Sequence, residues 1–327
     1  AVDRMATDCM RSHLRKGRWE YGKDYFKNGL LVMPHAHPAA YSDEMKNFKI
    51  REDDVFVSAF TRSGTHLTCE LVHCIMKFGN TEELWNKQMH YRVEFLQFSR
   101  EVFEGTIEAE DPGRNPMPPA AAASSPRVFF NHVNYEFAPN DIKQGKCKII
   151  ITHRNPKYTY LSWFYLLRDG ANCLFTWESP LAWVDFAAAM LTGETKDMAG
   201  FSGTWFDFYK QWWANRNSNM FFLNYEELIK DCPTVTKKLA EFLEKDFTDE
   251  QIQKISQHIK FDNLKMSPGF GQAFARFEVV ANALSPHMRR GTIDDWKNVF
   301  TVAHREEFDR LFQEKMKDTG FPEPIYE

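Results

Sequence analysis

The residues best equipped for chemistry sit in separate turns. Thr61-Arg62-Ser63-Gly64-Thr65-His66 is small and polar, with one cation and one glycine, and lies between an apolar run and a helical repeat. Arg154 follows a second apolar run, with Pro156 close behind, and Arg289-Arg290-Gly291 makes another basic turn. His132 stands at the end of a third apolar run. A strand that turns at once into a helix aims unpaired backbone N–H groups at one spot. The helix dipole and an arginine make that spot an anion site, most simply for phosphate or sulfate. A histidine with near-neutral pKa suits proton abstraction beside such a site. Residue by residue, the plain alternatives stay open: a strand-to-helix connection, solvated arginines and a structural histidine.

The elements that must position these turns follow from pattern. Val55–Phe60 is β-branched and aromatic, which favours a strand, and Leu67, Leu71, Val72, Ile75 and Met76 recur at helical spacing. Arg127–Val133, Lys148–Thr152 and Met220–Leu223 read as further strands, and Gly29–Met33 as a short one. A helix is expected from Lys157 to about Leu167, with Pro156 suited to its first turn. Thr234–Glu244 is amphipathic, Thr248 with Gln251 makes a capping box for a helix reaching Ile259, and Asp294 to Trp296 opens the last helical region. Between residues 80 and 126 the pattern is irregular, and Trp85, Tyr91, Phe95, Leu96 and Phe98 are expected in helical or lid segments. The Pro, Gly, Ala and Ser content near 104–126 marks a flexible loop. Strands alternating with helices predict an α/β fold. It is expected to be a single domain over 1–327, with a central, mostly parallel sheet flanked by helices and its ligand at the carboxyl ends of the strands.

Composition narrows the function. A chain of 327 residues buries a large core, and a formal charge of -4 gives no basic field for nucleic acid. No apolar run approaches membrane-spanning length, and residues 1–19 lack a signal-peptide core, so a cytoplasmic protein is expected. The six cysteines are scattered and read as reduced thiols, with no metal-ligand spacing. With 29 Phe, the chain has enough aromatic surface for a greasy ligand pocket as well as a core.

In order and spacing, several stretches resemble the cytosolic sulfotransferases, which transfer a sulfonate from 3′-phosphoadenosine 5′-phosphosulfate (PAPS) to a hydroxyl or amine. These are Phe60 to Leu67, Arg154-Asn155-Pro156-Lys157 with Ser162, Tyr225-Glu226-Glu227, and Arg289-Arg290-Gly291 with Asp295-Trp296-Lys297. Lys297, Thr301, Val302 and Glu306 match a pattern associated with homodimers in that family. The resemblance implies a P-loop-like phosphosulfate-binding loop of Arg62, Ser63, Gly64, Thr65 and His66. It implies a 3′-phosphate site of Arg154, Ser162, Arg289, Arg290 and Gly291, with Leu67, Tyr225, Ile259 and Phe261 as further cofactor-binding positions. His132 corresponds to the catalytic base, with Arg62 as the catalytic cation, 3′-phosphoadenosine 5′-phosphate (PAP) as product and no metal.

The departures from the family pattern are chemical. Arg62 stands for the usual lysine, Leu67 for a tryptophan and Ile259 for a threonine, while Phe130-Asn131-His132 lacks the first lysine of the family's K-x-H. Losing a cationic donor there would cost roughly 3 kcal/mol of transition-state stabilisation unless something replaces it. His66, in a threonine position, is the candidate replacement, the alternative being a bystander at the helix start. Phe60, Phe129, Phe130, Trp163, Phe164, Phe270, Phe274 and Phe277 are the expected acceptor-side residues, for a small hydrophobic phenol, sterol, retinoid-like or terpenoid alcohol. Two other readings remain: a homologue that binds nucleotide or lipophile without turnover, and a dehydratase acting through a sulfated intermediate resembling the insect retinol dehydratase type. A nucleotide kinase is disfavoured, because no G-x-x-x-x-G-K-[ST] is present.

Overall fold

The computed structural model describes residues 26–27, 30–31, 46–89, 92–96, 124–169, 183–184, 186–187, 204–271 and 288–324. Most of the expected 104–126 loop, together with Phe274 and Phe277, lies outside them. The strands are β1 (Phe26–Lys27), β2 (Leu30–Leu31), β3 (Val55–Ala59), β4 (Val93–Phe95), β5 (Val128–Asn131), β6 (Lys148–His153) and β7 (Met220–Asn224). β1 and β2 form a small antiparallel pair, and the other five make one sheet in the order β4-β5-β3-β6-β7, all parallel.

The helices are α1 (Thr65–Met76), α2 (Thr81–Asn86), α3 (Asn140–Lys143), α4 (Pro156–Asp169), α5 (Trp205–Ala214), α6 (Tyr225–Lys230), α7 (Cys232–Phe242), α8 (Asp249–His258), α9 (Phe261–Met266) and α10 (Val302–Met316). The capping box at Thr248 and Gln251 forms as expected, and α5 has its own at Thr204 and Asp207. Both sheet faces are covered, as a parallel sheet requires. Phe56, Phe129, Ile149 and Ile151 face one core with Trp163 of α4, Trp205 of α5 and Phe308 of α10. Val55, Val57, Phe130 and Ile150 face the other with Leu71 of α1, Leu239 of α7 and Ile255 of α8. The split follows the period of two along each strand.

One expectation needs correction. Phe95 belongs to edge strand β4, not to a helical or lid segment, because Val93 to Phe95 pair in parallel with Val128 to Phe130. Since the five strands are parallel, their carboxyl ends share one edge. The chain leaves central β3 towards β4 and β5 and later crosses to β6 and β7, so the strand order reverses around the end of β3. Such a switch point is where an open α/β sheet leaves a crevice for a ligand.

Candidate functional site

Four strand ends converge on that crevice. β3 delivers the loop Phe60–Gly64, β5 delivers His132, β6 delivers Arg154 and β7 delivers Tyr225. The loop is tightly built. The Ser63 N–H donates to the Phe60 carbonyl at 3.1 Å, and the Ser63 hydroxyl lies 3.4 Å from that of Thr159. Arg62 has a φ of 64° and Gly64 a φ of 97°, both in the left-handed region. Gly64 is required twice over. L residues avoid that backbone, and a Cβ there would lie 2.4 Å from the Tyr225 ring. Among the described residues no side chain caps the start of α1, so its first-turn amides face the crevice.

Helix α4 organises the cations. Arg62 donates from Nε to the Ser162 hydroxyl at 3.1 Å. Arg154 donates from Nη1 to the Arg62 carbonyl at 3.2 Å and stacks on Tyr225 at 4.2 Å and Tyr158 at 5.2 Å. Arg289 stacks on Tyr165 at 4.1 Å. Tyr158, Ser162 and Tyr165 lie at i, i+4 and i+7 and so share one stripe of α4. Arg289 and Arg290 each place an Nη1 2.5 Å from a different oxygen of buried Asp295. Gly291, with φ 67°, lies against Phe261, whose ring would meet an added Cβ at 2.3 Å. The two basic turns and Tyr225, Phe261 and Ser162 are therefore joined in one connected set of contacts. Ile259 is buried at the end of α8, two residues before Phe261, and half-buried Leu67 packs on the α1-side core.

His132 is buried just past β5. Its Nδ1 lies 2.7 Å from the Ala59 carbonyl. A carbonyl can only accept, so Nδ1 carries the proton and Nε2 is left as the basic nitrogen. Burial lowers the His132 pKa, the Ala59 bond raises it and Arg62 lowers it further, leaving it at about 4. The imidazole is neutral at pH 7, the state a proton acceptor needs. Phe130 meets two imidazoles edge-on: its centroid is 5.7 Å from that of His132 and 5.2 Å from that of His66.

The remaining apolar residues have core partners. Phe60 meets Tyr160, Trp163 and Phe208 edge-on, Phe164 packs on Trp183 and Phe186, and Phe270 is buried on the α1 side. Phe129 packs against Phe48. Lys297, Thr301, Val302 and Glu306 are all exposed on one short stretch. Pattern reading missed Tyr158 and Tyr165, although the tyrosine spacing on a predicted helix was a usable signal, and it gave Asp295 no role as partner of the arginines. It also missed a buried trio, Glu70, Cys74 and His258, whose ligand atoms lie within 4.8 Å of one another. Glu70 is engaged there by Arg92 at 2.6 Å and His258 at 2.8 Å.

The crevice suits a polyanion. Thr65 Oγ1 and Arg154 Nε are buried with no hydrogen-bond partner among the described residues, and an anion at the loop would supply acceptors. No described helix is long and apolar enough to cross a membrane.

Comparison with known proteins agrees. The sulfotransferase domain profile matches residues 52–320. The rabbit (Oryctolagus cuniculus) amine sulfotransferase is 32% identical over 285 residues, covering 84% of this chain and 85% of the relative. The mouse sulfotransferase SULT7A1, solved in complex with PAP, is 26% identical with a TM-score of 0.66, over 90% of this chain and 95% of that one. Retinol dehydratase, solved with retinol and PAP, shares the fold at a TM-score of 0.71 and 24% identity, over 88% of each chain. The chain belongs to the sulfotransferase domain family and is a sulfotransferase by descent.

Proposed function

We propose that this sulfotransferase moves the sulfonate of PAPS to the hydroxyl of a small lipophilic acceptor by in-line attack, with His132 as base. The observation that carries the reading is the state of His132: neutral, with Nδ1 tied to Ala59 and Nε2 basic, at the mouth of an arginine-bearing anion loop. In this reading the α1 amides, Arg62, Ser63, Thr65 and His66 hold the 5′-phosphosulfate. Arg289, Arg290, the Gly291 amide, Arg154 and Ser162 hold the 3′-phosphate, and Tyr225, Ile259, Phe261 and Leu67 border the adenine. The acceptor oxygen forms a bond to sulfur as the bond from sulfur to the bridging oxygen breaks. The acceptor proton passes to His132 Nε2, and the bridging electron pair leaves on PAP, where cations and amides receive the charge. Phe130, next to His132, gives the acceptor an apolar contact. A homodimer through Lys297, Thr301, Val302 and Glu306 and a cytoplasmic location complete the proposal.

The test is PAP release from PAPS with a panel of phenols, sterols, terpenoid alcohols, retinol and aliphatic amines. Release with lipophilic alcohols or phenols supports the reading. Release with amines alone would redirect the acceptor class towards that of the rabbit relative. PAP binding without release from any acceptor would favour a binding protein.

A further inference from the structure

The imidazole of His66 occupies a place that the anion loop alone does not explain. His66 is the second residue of α1, and a helical Cα–Cβ bond tilts towards the helix N-terminus, so its side chain leans back over the anion-binding mouth. It leans to the β5 side, because its ring meets Phe130 at 5.2 Å. Phe130 in turn meets His132 at 5.7 Å. Arg62 points the other way, to Ser162 on α4. An anion seated on the loop thus has Arg62 towards α4 and an imidazole towards the base. The group that must cross from the loop to an acceptor at His132 passes on the His66 side.

We propose that His66 is a catalytic residue that donates an imidazole N–H to an oxygen of the sulfonate while it is transferred. This rests on the function proposed above and narrows the part of the phosphosulfate that His66 holds to the sulfonate. In the transfer, the acceptor oxygen–sulfur bond forms, the bond from sulfur to the bridging oxygen breaks, and His132 takes the acceptor proton. His66 keeps its proton throughout and acts as a hydrogen-bond donor to a sulfonate oxygen. The charge that grows during transfer is on the bridging oxygen, so a donor to the sulfonate acts by holding its oxygens in line for attack, which raises kcat more than it raises PAP binding.

PAP lacks the sulfonate, which makes the test specific. His66→Phe keeps a ring against Phe130 but has no N–H. It is expected to lower kcat by about 10²-fold, the usual loss for one such donor, while the Kd for PAP stays within about threefold. His66→Gln, which restores an N–H near the same reach, is expected to recover a good part of the loss. His66→Thr repeats the measurement should His66→Phe fail to fold, as judged by its melting temperature. Turnover by folded His66→Phe or His66→Thr at the wild-type rate would overturn the proposal. So would a fall in PAP affinity as large as the fall in kcat/KM, since His66 would then serve only to hold the phosphate. Wild-type protein that releases no PAP at all would instead count against the function itself, so the two failures are distinguishable.

Discussion

Strand β3 has two ends of opposite character. At its amino end Asp54 is fully engaged: it pairs with Arg127 and also accepts from the backbone of Arg51 at 2.7 Å and of Arg127 at 3.3 Å. Arg127 reaches on to the Lys49 carbonyl at 3.0 Å, and both side chains are buried. Around the carboxyl end, Thr65 Oγ1, Asn131 Nδ2 and Arg154 Nε are equally buried but lack partners among the described residues. Buried polar groups are normally satisfied, and leaving one unsatisfied costs about 1 to 3 kcal/mol. The amino edge is held by paired groups. The carboxyl edge holds polar groups ready for a ligand and is less well satisfied without one.

Damage at the two edges should therefore separate cleanly. The largest effect is expected for His132→Asn, whose amide keeps a donor for the Ala59 carbonyl but offers no base. Turnover should fall by about 10³-fold, or about 4 kcal/mol, with little change in melting temperature. A large melting shift would break the contrast. Next is Asp54→Ala at the other edge. It strands buried Arg127, so denaturant titration should show a loss of about 3 kcal/mol while the folded fraction keeps its kcat.

Asp295→Asn sharpens the picture, because Asp295 is a buried carboxylate on the ligand side that ion-pairs with both arginines. Loosening Arg289 and Arg290 should weaken PAP binding about tenfold but leave adenosine 5′-phosphate almost unaffected, as read by calorimetry. An equal loss for both ligands would deny the arginine pair a role at the 3′-phosphate.

The smallest effect is in pH. His132 titrates at about 4, so the acid limb of kcat/KM should fall near pH 4 and not near 6.5. Stability behaves differently. Burial likewise lowers His73 and His153 to about 4. Between pH 6.5 and 4 the unfolded chain binds protons that the folded chain does not, so stability is full above pH 6.5 and declines as pH falls. Rates and melting temperatures measured across that window should part company.

How much of this was legible in the sequence depends on how local the cause is. Val55–Ala59 and Lys148–His153 are strands by their own composition, and the glycine-bearing turn between β3 and α1 announces an anion site. Val93–Phe95 is only three residues long and takes its conformation from pairing with β5, so no local pattern marks it. The left-handed backbone of Arg62 was invisible for the same reason, since arginine does not favour that region and the surrounding loop imposes it. His132 was legible as a candidate, but its tautomer depends on Ala59, far away in sequence. The partner of Arg289 and Arg290 was hidden in plain view, because Asp294-Asp295 before a tryptophan reads as a helix start.

The stripe on α4 has one more consequence. Ser162 serves Arg62 and Tyr165 serves Arg289, so the two cationic groups are referenced to one rigid rod whose rise is about 1.5 Å per residue. Charge alone would welcome many polyanions. A rod of fixed length also acts as a gauge, and a nucleotide carrying the same phosphates at another spacing would find the right partners in the wrong places.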